Sequence, residues 1–277
     1  MPAFAGTGDE RIMTLACQVL NAGVTDRPWL VFLHGLLGSA DDWQPLLPAL
    51  GGWPCLFVDL PGHGRSASLT AAGFADVSQQ LTDTLRVKNV AAYWLIGYSL
   101  GGRISLYHAC QGDRTGLQGL LVEGAHPGLT CQAERAQRRH HDQQWAARFL
   151  QMPWKQALDI WYQQPVFSSL SRSQRQQMIM LRENNNPHTV AAVLTATSLS
   201  VQPDLREQLL RISLPVVWLC GNQDIKFIHL AQQSGFGLRT VANAGHNAHR
   251  DNPAEYARQA LEFITSPVLK EVKHDLS

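Results

Sequence analysis

Five short apolar runs recur along the 277-residue chain, at Pro28–Leu33, Cys55–Val58, Tyr93–Ile96, Leu117–Val122 and Leu214–Cys220. The first breaks off at His34-Gly35, the second at Asp59-Leu60-Pro61-Gly62-His63-Gly64, the third at Gly97 and the fifth at Gly221. None alternates regularly with polar residues, so none reads as a strand with one face in water. Unalternating runs of this length belong to strands buried on both faces, as in a parallel sheet covered by helices. The segments around 40–50, 75–87 and 100–111 read as those helices, and the order of elements predicts an α/β fold.

A hydrophobic share of 45% supplies a core and excludes wholesale disorder. The length suits one large domain carrying a sizeable insertion. Lys plus Arg number 23 against 22 Asp plus Glu, a formal charge of +1, so the broad basic field that nucleic-acid binding needs is missing. Five scattered cysteines (Cys17, Cys55, Cys110, Cys131, Cys220) form no C-x-x-C pair. They predict neither a disulfide framework nor a zinc site, and suit a reducing, cytoplasmic compartment. Met1–Arg11 lacks the pattern of a secretory signal, and no apolar run approaches membrane-spanning length. A soluble protein without nucleic-acid or membrane partners is expected; oligomeric state leaves no mark in the sequence, and a monomer is the default.

The alternation breaks between the fourth and fifth runs. From Gly128 to Gln202 the pattern is helical throughout, with Trp145, Phe149, Trp154, Trp161 and Tyr162 on the apolar faces. Eight basic residues (Arg135, Arg138, Arg139, Arg148, Lys155, Arg172, Arg175, Arg182) stand against four acidic ones (Glu134, Asp142, Asp159, Glu183), a net +4 in a chain whose total is +1. An insertion after the carboxyl end of a sheet strand sits where α/β sheets bind ligands. The expected organisation is a core of residues 1–127 and 203–277 with a helical lid at 128–202. A surface excursion with solvated charges is the plainer alternative. Seven of the eight cations are Arg, however, whose planar fork pairs bidentately with carboxylate or phosphate.

Gly97-Tyr98-Ser99-Leu100-Gly101-Gly102 follows a strand and opens a helix, which is the context a G-x-S-x-G nucleophile elbow requires. So tight a turn crowds the positions two before and two after the serine, and holds the serine itself in strained backbone at a helix N-terminus. The Leu100 amide can then donate to a developing oxyanion, and a second donor, the Leu36 amide, is expected in the loop after the first apolar run. A nucleophile needs a base, and the base an orienting acid. Asp224 follows the fifth run, and His246 follows the β-like Thr240-Val241 within Ala244-Gly245-His246-Asn247. The rivals read differently: His249 as packing or surface, Asp204 and Asp251 as helix caps. The turn-rich stretch Asp59–Ser66 reads as a rigid structural loop. Arg103, one helical turn past Ser99, either meets an anion or reaches out to a surface carboxylate.

These motifs resemble the α/β-hydrolase superfamily over roughly residues 25–264. The likeness becomes closer in Gly97–Arg103, in Val122-Glu123-Gly124-Ala125-His126-Pro127-Gly128-Leu129, in Trp161-Tyr162-Gln163-Gln164-Pro165-Val166-Phe167, in Leu181-Arg182-Glu183-Asn184-Asn185-Asn186 and in Gly245-His246-Asn247-Ala248-His249. Together they resemble the MenH family, the 2-succinyl-6-hydroxy-2,4-cyclohexadiene-1-carboxylate (SHCHC) synthases of menaquinone (vitamin K2) biosynthesis. The elbow and the Gly-His pair are superfamily-wide; the two segments inside the insertion are the specific ones.

The resemblance implies an α/β-hydrolase fold put to elimination rather than hydrolysis. The family members are carbon–oxygen lyases that release pyruvate from the tricarboxylate 2-succinyl-5-enolpyruvyl-6-hydroxy-3-cyclohexene-1-carboxylate, without metal or other cofactor. It implies that the triad serine is the base, and that substrate meets Tyr98, Arg103, Arg138, Trp161 and Arg182, with Arg139 able to replace Arg138. Two other readings stay open: a serine hydrolase of a small anionic ester, thioester or carbon–carbon bond, and a non-catalytic hydrolase-fold binding protein. The intact set Ser99, Asp224 and His246 argues against the second.

Overall fold

The computed structural model describes residues 13–266. The outer ends of the expected core, at 1 and 277, and the reading of Met1–Arg11 lie outside the described residues. Seven strands form one sheet: β1 (Cys17–Leu20), β2 (Trp29–Leu33), β3 (Cys55–Val58), β4 (Tyr93–Tyr98), β5 (Leu117–Glu123), β6 (Val216–Gly221) and β7 (Gly237–Val241). Their order is β1-β3-β2-β4-β5-β6-β7, with only β1 antiparallel to its neighbour. Successive side chains of each inner strand enter opposite cores, which is why the runs do not alternate in sequence. Leu30, Phe32, Trp94 and Ile96 pack with the segment Ala40–Ala49 and the helix Pro253–Ile264. Val31, Leu33, Leu56 and Leu95 pack on the other face with the helices Phe74–Val87 and Leu100–Gln111. Each such side chain contributes about 1.5–3 kcal/mol on full burial.

Two details differ from expectation. Residues 40–49 coil as a 3-10 helix, because Pro45 and Pro48 each lack the amide that an α-helix needs. The edge strand β1 carries no apolar run, being only half-buried. Between β5 and β6 the chain passes through helices Gln132–Gln151, Trp154–Trp161, Arg172–Arg182 and Pro187–Ala196. These share an apolar cluster of their own, built on Trp145, Phe149, Leu158, Tyr162 and Val190 and closed by Leu37 from the loop after β2. Among the described residues no helix is long and apolar enough to cross a membrane.

Candidate active site

The sheet order reverses at β2, where β3 lies on one side and β4 on the other. Crevices at the carboxyl ends of strands open at such a switch point. Leu33 is in register with Gly97, so the loop bearing Leu36 leaves the sheet beside the loop bearing Ser99. Ser99 itself has φ 49° and ψ −106°, a conformation costing about 1–3 kcal/mol in a residue with a side chain. It is held there from both sides: the Ser99 amide donates to the Glu123 carbonyl at 2.8 Å, and the Ser99 carbonyl accepts from the Arg103 amide at 3.0 Å. A Cβ on Gly101 would collide with the Leu33 carbonyl, so the elbow can press this close to β2 only with glycine there.

Asp224 follows β6 and His246 follows β7; His246 Nδ1 lies 2.7 Å from Asp224 Oδ2, with both residues buried. The imidazole rests against Gly124, where any Cβ would overlap the ring, and is walled by Phe227 at 4.9 Å and Phe167 at 6.0 Å. Ser99, Asp224 and His246 line one cavity of about 610 Å³ with Arg138, Trp161 and Lys226. The Ser99 hydroxyl has no protein hydrogen-bond partner among the described residues; such bonds often tighten only when a ligand fills the site. A neighbouring cavity of about 110 Å³ shares Ser99, Arg138, Trp161 and Lys226 and adds Leu36, Leu100 and Arg103.

Arg103 reaches no surface carboxylate. It is buried, donating to the Thr197 carbonyl at 2.7 Å and lying over the Phe74 ring at 5.5 Å. Burial, reinforced by the nearby charge of Arg138 and opposed by Asp142, pushes its pKa down to about 9. An anion arriving at its end of the cavity would relieve that cost. Arg138 donates from Nε to Asp142, at 2.9 Å to each carboxylate oxygen, and lines both cavities. Arg139 borders a different depression with Thr195 and Ser200, so the geometry favours Arg138 of the two. Trp161 stands edge-on to Trp145 at 4.8 Å, fixed in the cavity wall.

Two of the expected contact residues lie away from both Ser99 cavities. Arg182 does not line either Ser99 cavity: it is buried and forks onto Asp42, with Nη1 and Nη2 2.6 and 2.9 Å from the two oxygens, and Nε 3.1 Å from the Tyr162 hydroxyl. Burial opposes the charge on both partners, but their mutual attraction outweighs it, lowering the Asp42 pKa and raising that of Arg182. Tyr98 is likewise absent from the cavity wall. Strand alternation turns it into the core with Ile96 and Trp94, where its hydroxyl donates to Asn247 Oδ1. Of the rival residues, His249 packs in the interior, Asp204 accepts from Arg206 near a helix start, and Asp251 holds the Gly245 amide at 2.8 Å instead of capping a helix.

Residues 30–259 match the alpha/beta hydrolase family. The chain is 54% identical over 242 residues to the 2-succinyl-6-hydroxy-2,4-cyclohexadiene-1-carboxylate synthase of Pectobacterium atrosepticum, covering 87% of this chain and 96% of that protein. The chain belongs to the SHCHC synthase family of α/β hydrolases. A relative of the same name from Yersinia pseudotuberculosis is 52% identical over 262 residues, covering 91% and 95% of the two chains. MenH from S. aureus has the same fold, with a TM-score of 0.83 at 26% identity, covering 94% of this chain and all of that one. The SHCHC synthase motifs singled out in sequence missed Lys226, which borders both cavities. Its only signal was a cation two positions after the triad acid, where the helix Ile225–Gln233 begins. Desolvation and Arg138 lower its pKa, against the pull of Asp224.

Proposed function

We propose that the chain eliminates pyruvate from 2-succinyl-5-enolpyruvyl-6-hydroxy-3-cyclohexene-1-carboxylate in the cytoplasm, with Ser99 as the base and residues 128–202 as a lid over the site. The observation that carries this reading is the meeting at Ser99 of two cavities, one walled by the His246–Asp224 pair, both by Arg138 and Lys226, and the smaller also by Arg103. A tricarboxylate matches three cations, each good carboxylate contact being a charge-assisted hydrogen bond. Arg138 and Trp161 both come from the inserted helices, which is what a lid that completes the site would supply.

His246, oriented by Asp224, takes the Ser99 proton, and the serine oxygen removes the acidic ring proton of the substrate. The electron pair of that C2–H bond forms the C2=C3 double bond, the C3=C4 pair shifts to C4=C5, and the C5–O bond to the enolpyruvyl group breaks. The leaving enolate takes a proton back from His246 and departs as pyruvate. Charge developing on the succinyl carbonyl falls to the Leu36 and Leu100 amides, neither of which donates to a protein acceptor among the described residues; one such donor is worth about 3–4 kcal/mol. Incubation with the enolpyruvyl cyclohexene and a coupled pyruvate assay tests the reading. Stoichiometric pyruvate and cyclohexadiene support it, whereas burst hydrolysis of a chromogenic ester without pyruvate release would make the chain a serine hydrolase.

A further inference from the structure

Behind the triad lies a second histidine–carboxylate pair for which the elimination has no use. His249 is fully buried and Glu123 is 1% exposed. His249 Nδ1 sits 2.8 Å from Glu123 Oε2, and the His249 backbone amide donates to Oε1 at 3.3 Å. Nε2 has no partner among the described residues, so the ring carries its proton on Nδ1 and donates it to the carboxylate. The ring is packed among Trp43 at 4.5 Å, Tyr98 at 4.8 Å and Tyr256 at 6.0 Å.

Glu123 ends β5 and reaches both halves of the catalytic geometry. Its carbonyl holds the Ser99 amide, and its carboxylate holds the turn that carries His246. The next residue, Gly124, is the surface on which the imidazole rests. Tyr98, directly before the nucleophile, packs against His246 at 5.4 Å as well as His249, while its hydroxyl binds Asn247 between them in sequence. Three segments far apart along the chain are thus tied at one residue.

We infer that Glu123 and His249 are positioning residues that set the spacing between Ser99 and His246 through the Nδ1–carboxylate hydrogen bond. This rests on the triad reading of the preceding section. A group placed by hydrogen bonding rather than by bulk gives opposite orders for two substitutions. His249→Asn keeps an amide donor close to the Nδ1 position but shrinks the side chain; His249→Phe keeps the ring and loses the donor.

The experiment measures the rate at which a serine-reactive phosphonate labels Ser99, together with kcat and KM for pyruvate release, in the wild type, both His249 variants and Glu123→Gln. Glu123→Gln retains one acceptor but places an NH2 against one of two donors, and serves if His249→Phe does not fold, as judged by near-UV circular dichroism. The inference predicts that His249→Phe and Glu123→Gln slow labelling and kcat by about 10²-fold, the size of effect a displacement of 1 Å produces, with KM within about twofold. His249→Asn stays several-fold faster than His249→Phe. A rate order with Phe above Asn, or losses confined to KM, overturns it and leaves the triad standing. A wild type that the phosphonate does not label would remove the triad reading and this inference together.

Discussion

Arg103 and Lys226 offer the same charge to the same cavity from different surroundings. Arg103 is buried over Phe74, where its attraction for an anion is little screened; Lys226 is exposed at the rim. Replacing Arg103 with Met should therefore weaken substrate binding by about 2 kcal/mol or more, roughly thirtyfold in KM. Lys226→Met should cost less than about 1 kcal/mol, an effect that fades in high salt. Initial rates at low and high ionic strength check both, and equal salt-independent losses would contradict the assignment. Ser99, Asp224 and His246 were legible because each stands in a local backbone signal at a strand end. Where Arg182 and Tyr98 point was not, because their side-chain partners are Asp42 and Asn247, separated by 140 and 149 residues. No local pattern announces a partner at that range.

The inserted helices are tied to the loops after β2 and β3. Arg182 forks onto Asp42, Asn185 Nδ2 donates to the Leu37 carbonyl at 2.8 Å, and the Thr189 hydroxyl donates to the Gly62 carbonyl at 2.8 Å. Removing one partner of a buried ion pair leaves the other uncompensated, so Arg182→Met should lower stability by about 3–5 kcal/mol, read by denaturant unfolding. Arg182→Met combined with Asp42→Asn should recover part of that loss; additive losses would show that the pair does not act as a unit. Two imidazoles tie those loops to each other. His34 Nε2 accepts the Leu60 amide and His63 Nε2 accepts the Leu37 amide, so both rings must stay neutral. Burial pushes His34 down to about 4; burial and then the His34 charge push His63 down to about 3. Below about pH 6.5 the unfolded chain binds these protons first, so their stabilisation is complete above that value and is lost as pH falls through about 4 and 3. Melting temperature should drop steadily from pH 7 to 4, and a flat profile would contradict it. Legibility at this scale followed burial: the five inner runs declared their strands, whereas β1, half-buried at the sheet edge, did not, and the short β7, with Gly237 and Thr240 exposed, showed only as the β-like Thr240-Val241.

Across the whole molecule, an almost neutral chain brings three cations, Arg103, Arg138 and Lys226, to one strand-end rim, and the proposed lid supplies Arg138. A bound tricarboxylate should stabilise the fold by mass action, about 2.7 kcal/mol at a hundred times the dissociation constant, and amide exchange should slow in the helix Gln132–Gln151. The sequence revealed the excess of arginine in this region but not which arginines face inward, because inward and outward positions of a helix packed on one side only follow from its neighbours. The most direct test of the account compares wild type with Ser99→Ala on the enolpyruvyl cyclohexene, measuring pyruvate release by coupled assay and binding by calorimetry. The account predicts that the variant binds the tricarboxylate about as tightly as the wild type while pyruvate release falls to background. Pyruvate release near the wild-type rate from Ser99→Ala would contradict it.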